Sequence, residues 1–313
     1  MMLCLCIGIY AIISYFVMPI SHPEWIDGSF ANEITARATA TFANPNVYAV
    51  FLIPAIVFSW LGASDQKHSS SSRFYCFICL CINLIAMALT FTRGAWVALG
   101  ISFLALLVLR SKSSPKALLI PLGLLPIGLC FIPSVFINRI LSIVNLSDSS
   151  IASRLSIWRS SLLMFKDHLL FGIGRGGESF EEEFVKYAEE AVTAPHSHNL
   201  FLEIGIEAGA VALILFIFLM IVRTRHLATY AKYISKSSIT ATALAGAISV
   251  FALITFGMTD YIFYNPVMIY LFFAIFGLSS ASLRISKREH DDELYFSGGS
   301  ASSESASLDV SLE

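Results

Sequence analysis

The chain has 313 residues, 56% of them hydrophobic and 13% charged, with a mean hydropathy of +0.74. Soluble chains run near 45–50% apolar and about 25% charged, so a cytosolic enzyme is excluded and channels, transporters, integral-membrane enzymes and membrane scaffolds remain. The formal net charge of -2 makes no electrostatic case for a nucleic-acid partner.

Long apolar runs, at about 20 residues per span, predict eight helices, at 2–20, 46–63, 74–92, 94–110, 117–137, 199–222, 239–259 and 263–282. The first run has no basic residue before it, the first Lys or Arg being Arg37, so it reads as a retained span and not a signal peptide. We take it as the remnant of a longer N-terminal membrane domain. Lys and Arg in short loops set orientation. Lys67 and Arg73, then Arg110, Lys112 and Lys116, then Arg223, Arg225, Lys232 and Lys236, then Arg284, Lys287 and Arg288 fall on same-side connections. Facing the cytoplasm, they put both termini inside and 21–45, the 92–94 turn, 138–198 and 260–262 outside. The expected fold is all-α, a polytopic membrane helical bundle of about eight spans. Its integral domain occupies 1–283, and a Ser-, Asp- and Glu-rich tail, 284–313, is too poor in apolar residues to fold and reads as disordered and cytoplasmic.

The outer segment from about 138 to 198 is long, where ordinary connections run about 4–6 residues. Ile151, Leu155, Trp158, Leu162, Phe165 and Leu169 recur at helical spacing, predicting an amphipathic helix on the outer surface or capping the bundle. Arg154, Arg159 and Lys166 decorate its flanks. The glycines between Phe171 and Gly177 end it, and an acidic stretch runs from Glu178 to Glu190. That glycine run lacks a following Gly-Lys-Ser/Thr and a preceding strand, so it reads as a turn and not a nucleotide loop. Arg175 within it is a candidate anion ligand.

The six cysteines all fall in apolar spans, which argues against a disulfide framework. His196-Ser197-His198-Asn199, where the outer segment enters the sixth span, has two readings. His-x-His is half of a metal site, yet no Cys or carboxylate cluster of ligand spacing accompanies it, and no metal is expected. A neutral imidazole at a wet membrane mouth suits a general base; the plain alternative is a pair of interfacial polar residues. Asn199, Glu203 and Glu207, spaced by four, form one polar stripe down the span. Carboxylates in a span face a wet cavity or the bundle interior, here either a cavity opening outward or a pairing with a cation such as Arg93. Arg93, in the almost turnless junction Thr90 to Trp96, either snorkels to headgroups or presents a bidentate fork to a phosphate. Asp260 is a lesser candidate of the same kind.

Four segments, in order, carry a resemblance to the O-antigen ligase and O-antigen polymerase superfamily of bacterial membrane glycosyltransferases. Asn44-Pro45-Asn46 opens a span, and Thr92-Arg93-Gly94 follows the third. Arg154-Leu-Ser-Ile-Trp158 with Leu170-Phe-Gly-Ile-Gly174 looks like the start of the family's outer loop, and His198-Asn199, nine residues, then Gly209 looks like its His-Asn-x9-Gly signature. Ala212 stands where the ligase signature often has a second glycine, and family members commonly carry additional N-terminal spans. The resemblance implies a C-type glycosyltransferase bundle with its site at the outer face of the bacterial cytoplasmic membrane. It implies glycan transfer from an undecaprenyl-diphosphate carrier to a glycan or lipid acceptor hydroxyl, without metal, cofactor or nucleotide sugar. It also implies that Arg93 and Arg154 hold the diphosphate and His198 is the base; the reading of the residues themselves adds His196, Asn199, Glu203, Glu207, Arg159, Arg175 and Asp260 as candidate accessory groups.

Two other functions stay open. A transporter of a small anion such as bicarbonate would be favoured by discontinuous helices and midplane acids. A noncatalytic scaffold would tolerate replacement of these polar residues.

Overall fold

The computed structural model describes residues 1–18, 36–111, 136–138, 149–188, 192–230 and 238–309. Among them the architecture is helical with no strand, in the order α1 (Met2–Val17), α2 (Pro45–Ser64), α3 (Ser70–Leu89), α4 (Arg93–Ser111), α5 (Ser149–Asp167), α6 (Gly177–Phe184), α7 (Leu200–Tyr230), α8 (Ser238–Gly257) and α9 (Pro266–Asp309). Four are long and apolar enough to cross a membrane: Pro45–Ser64, Ser70–Leu89, Leu200–Arg225 and Pro266–Glu289. Met2–Val17, Arg93–Ala105 and Ala241–Gly257 are shorter apolar helices. Helices thus stand at seven of the eight expected runs; the run at 117–137 lies almost wholly outside the described residues. The chain is a helical membrane protein.

α2 is the axis of the bundle, packing against α3, α8 and α4, while α8 pairs with α9 and α1 lies on α3. Its start is written locally. Asn44 accepts the backbone N–H groups of Asn46 and Val47, and Pro45 sits at the first helical position, where its missing N–H costs nothing. Tyr48, Leu52 and Ile53 are fully buried in the resulting core with Phe256 and Phe272. The α3–α4 connection is only Thr90, Phe91 and Thr92. It is tight enough to hold Phe91 at φ 50, and Gly94 follows with room for no side chain, since a Cβ there would meet Thr259 Oγ1 at 2.5 Å.

The segment between α4 and α7 contains the helices α5 and α6. α5 turns Ile157, Ser160, Ser161 and Met164 to the protein, with Trp158 and Phe165 of the expected apolar stripe partly buried and Leu155, Leu162 and Leu169 exposed. Two serines, small enough for close approach, occupy the buried face and hide it from a hydropathy pattern. The acidic stretch contains a helix, α6, whose Phe180 and Phe184 are buried one turn apart with Ile157, Met164, Ala194 and Ile206. The outer segment therefore has its own small core.

α7 is broken. Gly209 has φ 83 and ψ 172, dividing the element into an outer piece, 200–208, and a longer inner one. The backbone groups freed there are taken up by the chain just after α5. Ile173 N–H donates to Ile206 O at 2.8 Å, Gly174 N–H to Glu207 O at 3.0 Å, and Ala210 N–H to Leu169 O at 2.7 Å. A Cβ on Gly209 would lie 2.1 Å from Leu170 O, and one on Gly172, itself at φ 68, 2.5 Å from the Glu207 carbonyl. Two glycines with positive φ are the condition for this interlock. α9 continues to Asp309, so the backbone is helical through most of the segment read as a disordered tail; extending an established helix adds one hydrogen bond per residue fixed and needs no apolar partner.

Candidate functional site

The connections read as lying on one side of the membrane meet at one end of the bundle, and Asp260 is where they meet. It sits just past α8, is 6% exposed, and accepts from its own neighbour Tyr261 N–H at 2.9 Å. Asn46, two residues into α2, donates Nδ2 to Asp260 Oδ2 at 2.7 Å. His198 Nδ1 lies 3.2 Å from Asp260 Oδ1, and Arg154 Nη2 lies 4.0 Å from Oδ2. Burial alone would raise the Asp260 carboxyl; the His198 hydrogen bond and the charges of His198 and Arg154 outweigh it and hold the group well below the usual carboxylate range. An ionised carboxylate only accepts, so the His198 nitrogen that faces it, Nδ1, is the one that carries hydrogen, which leaves Nε2 turned away from Asp260.

The loop carrying the histidines is fixed from three sides. His198 adopts φ 52, an uncommon conformation for a residue with a side chain, and its N–H donates to His196 Nδ1 at 3.1 Å. Burial, then the neighbouring His198, pushes His196 down to about 4, so it is neutral and able to accept that bond. Ser197 N–H donates to Glu203 Oε2 at 2.6 Å, which gives the 1% exposed Glu203 a latching role. Asn199 caps α7, its Oδ1 accepting from Phe201 and Leu202 N–H, and ties the loop to α8 by donating to Met258 O. Its polar atoms are committed to structure. Glu207 Oε2 accepts from Tyr261 O–H at 2.8 Å.

Of the expected site residues, the fold brings together His198, Arg154, His196 and Asp260, with Glu203 and Glu207 behind them. Arg93 is half-buried as the first residue of α4, where the following Gly94 packs on Phe256 and Thr259, one residue from Asp260. Arg159 is exposed on α5, five residues past Arg154 and so on another face. Arg175 is exposed and lines a cavity of about 510 Å3 with Glu203 and Glu207.

Two partners escaped the sequence reading. Asn46 is named there only within its motif, and Arg37 only as the first cation. Arg37 donates Nε to Thr90 O at 2.7 Å and Nη2 to Asn46 Oδ1 and Thr92 Oγ1, each at 3.0 Å, so it braces the Asn46 that holds Asp260. Its signal was available: an arginine in a segment assigned to the outer side departs from the usual bias.

His196, His198 and Asp260 present possible metal donors within 4.8 Å of one another. The donors are already engaged among themselves and with Asn46, and the Arg154 guanidinium beside Asp260 opposes a cation there. The charge pattern suits an anion approaching Arg154 and a proton arriving at His198.

Residues 75–217 match the family model described as O-Antigen ligase. The matched stretch runs from α3 through Thr92-Arg93-Gly94, α5 and the histidine loop to the inner piece of α7; Arg37, Asn46 and Asp260 lie outside it. An uncharacterized protein of Haemophilus influenzae is 26% identical over 173 residues, covering 50% of this chain and 43% of that protein. The chain thus matches less than half the length of that relative.

Proposed function

Since the chain belongs to the O-antigen ligase and polymerase superfamily, whose chemistry is glycan transfer in bacterial membranes, we propose that it moves a glycan from undecaprenyl diphosphate to an acceptor hydroxyl at the outer face of the cytoplasmic membrane. His198 Nε2 takes the proton of the acceptor hydroxyl as its oxygen bonds to the anomeric carbon. The bond from that carbon to the diphosphate oxygen breaks, and the electron pair leaves with the carrier. Arg154 and Arg93 neutralise the charge developing on the diphosphate. Asp260 orients the imidazole and stabilises its protonated form. The acceptor is another repeat unit in a polymerase and a different glycan or lipid in a ligase.

The observation that carries this reading is the His198 Nδ1 to Asp260 Oδ1 contact of 3.2 Å with the Arg154 guanidinium against the same carboxylate. A base and an anion-binding group on one carboxylate are what a transfer from a diphosphate requires. Transport has one feature in its favour, the discontinuous α7. Its freed backbone groups, however, are bonded to residues 169–174 and are not left to coordinate an ion.

The test is incubation of purified, lipid-reconstituted protein with undecaprenyl-diphosphate-linked glycan and candidate acceptors. Lengthened or transferred product is expected. His198→Ala and Arg154→Ala should each lower its rate by about 100- to 10,000-fold with the protein still inserted and abundant. Product at the unmodified rate from both variants overturns the assignment.

A further inference from the structure

The cavity of about 510 Å3 beside the histidine loop is the size of a small-ligand pocket, and neither the base nor the diphosphate arginines need it. Its walls are of two kinds. Glu203 and Glu207, one turn apart on the outer piece of α7, and Arg175 supply polar groups; Tyr261, Tyr264 and Tyr270 supply rings. Tyr261 and Tyr264 also line a cleft of about 40 Å3 that holds His198, Asp260 and Asn46, so these two rings separate the cavity from the base. The His196 ring leans on both, at centroid distances of 5.9 and 4.8 Å.

The lining selects among occupants. A polyprenyl tail would strand carboxyl groups against hydrocarbon. A diphosphate would meet two acids and a single arginine. A sugar ring matches both surfaces, with hydroxyl donors around its edge for carboxyl oxygens and an apolar C–H face for an aromatic ring.

We propose that this cavity is a sugar-binding subsite, holding a neutral pyranose ring with its hydroxyls on Glu207 and its face on Tyr264 and Tyr270, next to the His198 base. The inference rests on the glycan-transfer reading and names what lies beside its reacting centre. Arg175, the cation on this wall, is exposed to solvent, so a hexuronate carboxylate would leave water for the neighbourhood of two carboxyl groups, and the subsite favours a neutral ring.

Binding is tested apart from turnover, by saturation-transfer NMR on the full chain carrying His198→Ala in lipid nanodiscs. The probes are the methyl glycosides of glucose, galactose, N-acetylglucosamine and glucuronic acid. At least one neutral glycoside should bind saturably, and the glucuronide at least about tenfold more weakly. Adding Tyr270→Ala, at a side chain 75% exposed and so safe for folding, should weaken binding roughly three- to tenfold, and Tyr270→Phe should change it less than about twofold. Glu207→Gln should also weaken it. Absence of saturable binding by any neutral glycoside, binding indifferent to both Tyr270→Ala and Glu207→Gln, or preference for the glucuronide overturns the subsite. In the otherwise unmodified protein, a rise in acceptor KM from Tyr270→Ala assigns the bound ring to the acceptor and a rise in donor KM to the donor; either supports the subsite. The two readings fail separately. Tyr270-dependent sugar binding without any transfer product removes the transferase and leaves the sugar site, whereas transfer product without such binding does the reverse.

Discussion

Asp260 stands in the sequence between two apolar runs with no motif around it, and its weight comes from what the fold delivers to it. Asn46, His198 and Arg154 arrive from three separate parts of the chain, each inside a recognisable segment. Those segments made His198 and the arginines legible; the carboxylate that organises them was legible only as a lone charge. Asp260→Asn removes the anion that holds Nδ1–H and leaves Arg154 facing an amide. Transfer should fall by about 100- to 10,000-fold with little change in donor binding, to be read as kcat against donor KM; an unchanged kcat would show that His198 works without it. His196 makes a pH prediction. Its value of about 4 in the folded chain lies below the unfolded value of about 6.5. Between those limits the unfolded chain binds a proton that the folded one refuses, so this contribution to stability is whole above about pH 6.5 and is lost as pH falls towards 4. Asp260, depressed as well, adds a loss in the same direction further into acid, below its unfolded value of about 3.9. The protection factor of the His198 amide, which bonds His196 Nδ1, should therefore fall as pH drops from 6.5 to 4 once the intrinsic exchange rate is divided out, and constant protection across that range would contradict the neutral His196.

At the scale of elements, the apolar runs predicted helices well because a span must be apolar along its whole length. Two features were invisible to that logic. The buried face of α5 depends on Ser160 and Ser161, whose worth is their small size, and the break in α7 depends on Gly209, which a hydropathy window passes over. The break explains why a glycine follows the nine residues after His198-Asn199: a Cβ there would strike the Leu170 carbonyl. Gly209→Ala meets a backbone atom and a positive φ together, so it should cost about 1–3 kcal/mol or more, read as a lower Tm in detergent and lower membrane abundance. Gly94→Ala meets side-chain atoms of Thr259 and Phe256, not backbone, and at no positive φ, so it should cost less. Gly172→Ala acts on the same interlock, and the double variant with Gly209→Ala should be less destabilised than the sum of the two. Strict additivity would mean that the two glycines serve unrelated contacts.

On the scale of the molecule, the segments expected on the outer side converge on one end of the bundle through contacts that span the chain, from Arg37 to Asp260. That convergence was implicit in the alternation of Lys- and Arg-rich connections, although the long-range pairs themselves were not, since hydropathy carries no information about which loops touch. With that end outside, a cysteine at Lys186, whose side chain is 65% exposed, should react with an impermeant maleimide in intact cells, while one at Lys67 should react only after permeabilisation. The converse pattern would turn the bundle over and with it the side on which the glycan is handled.

The seam between residues 169–174 and the break in α7 bears on how such proteins can be recombined. A graft that exchanged the outer loop alone, cut before Leu200, would separate the donors Ile173 and Gly174 from the Ile206 and Glu207 carbonyls they satisfy, and would orphan the Ala210 amide. An exchange that keeps this seam whole carries its two sides, 169–174 and 206–210, together. During synthesis the same order holds: the strap at 169–174 leaves the ribosome before the helix it completes, so the outer piece of α7 has its docking partner waiting when it emerges.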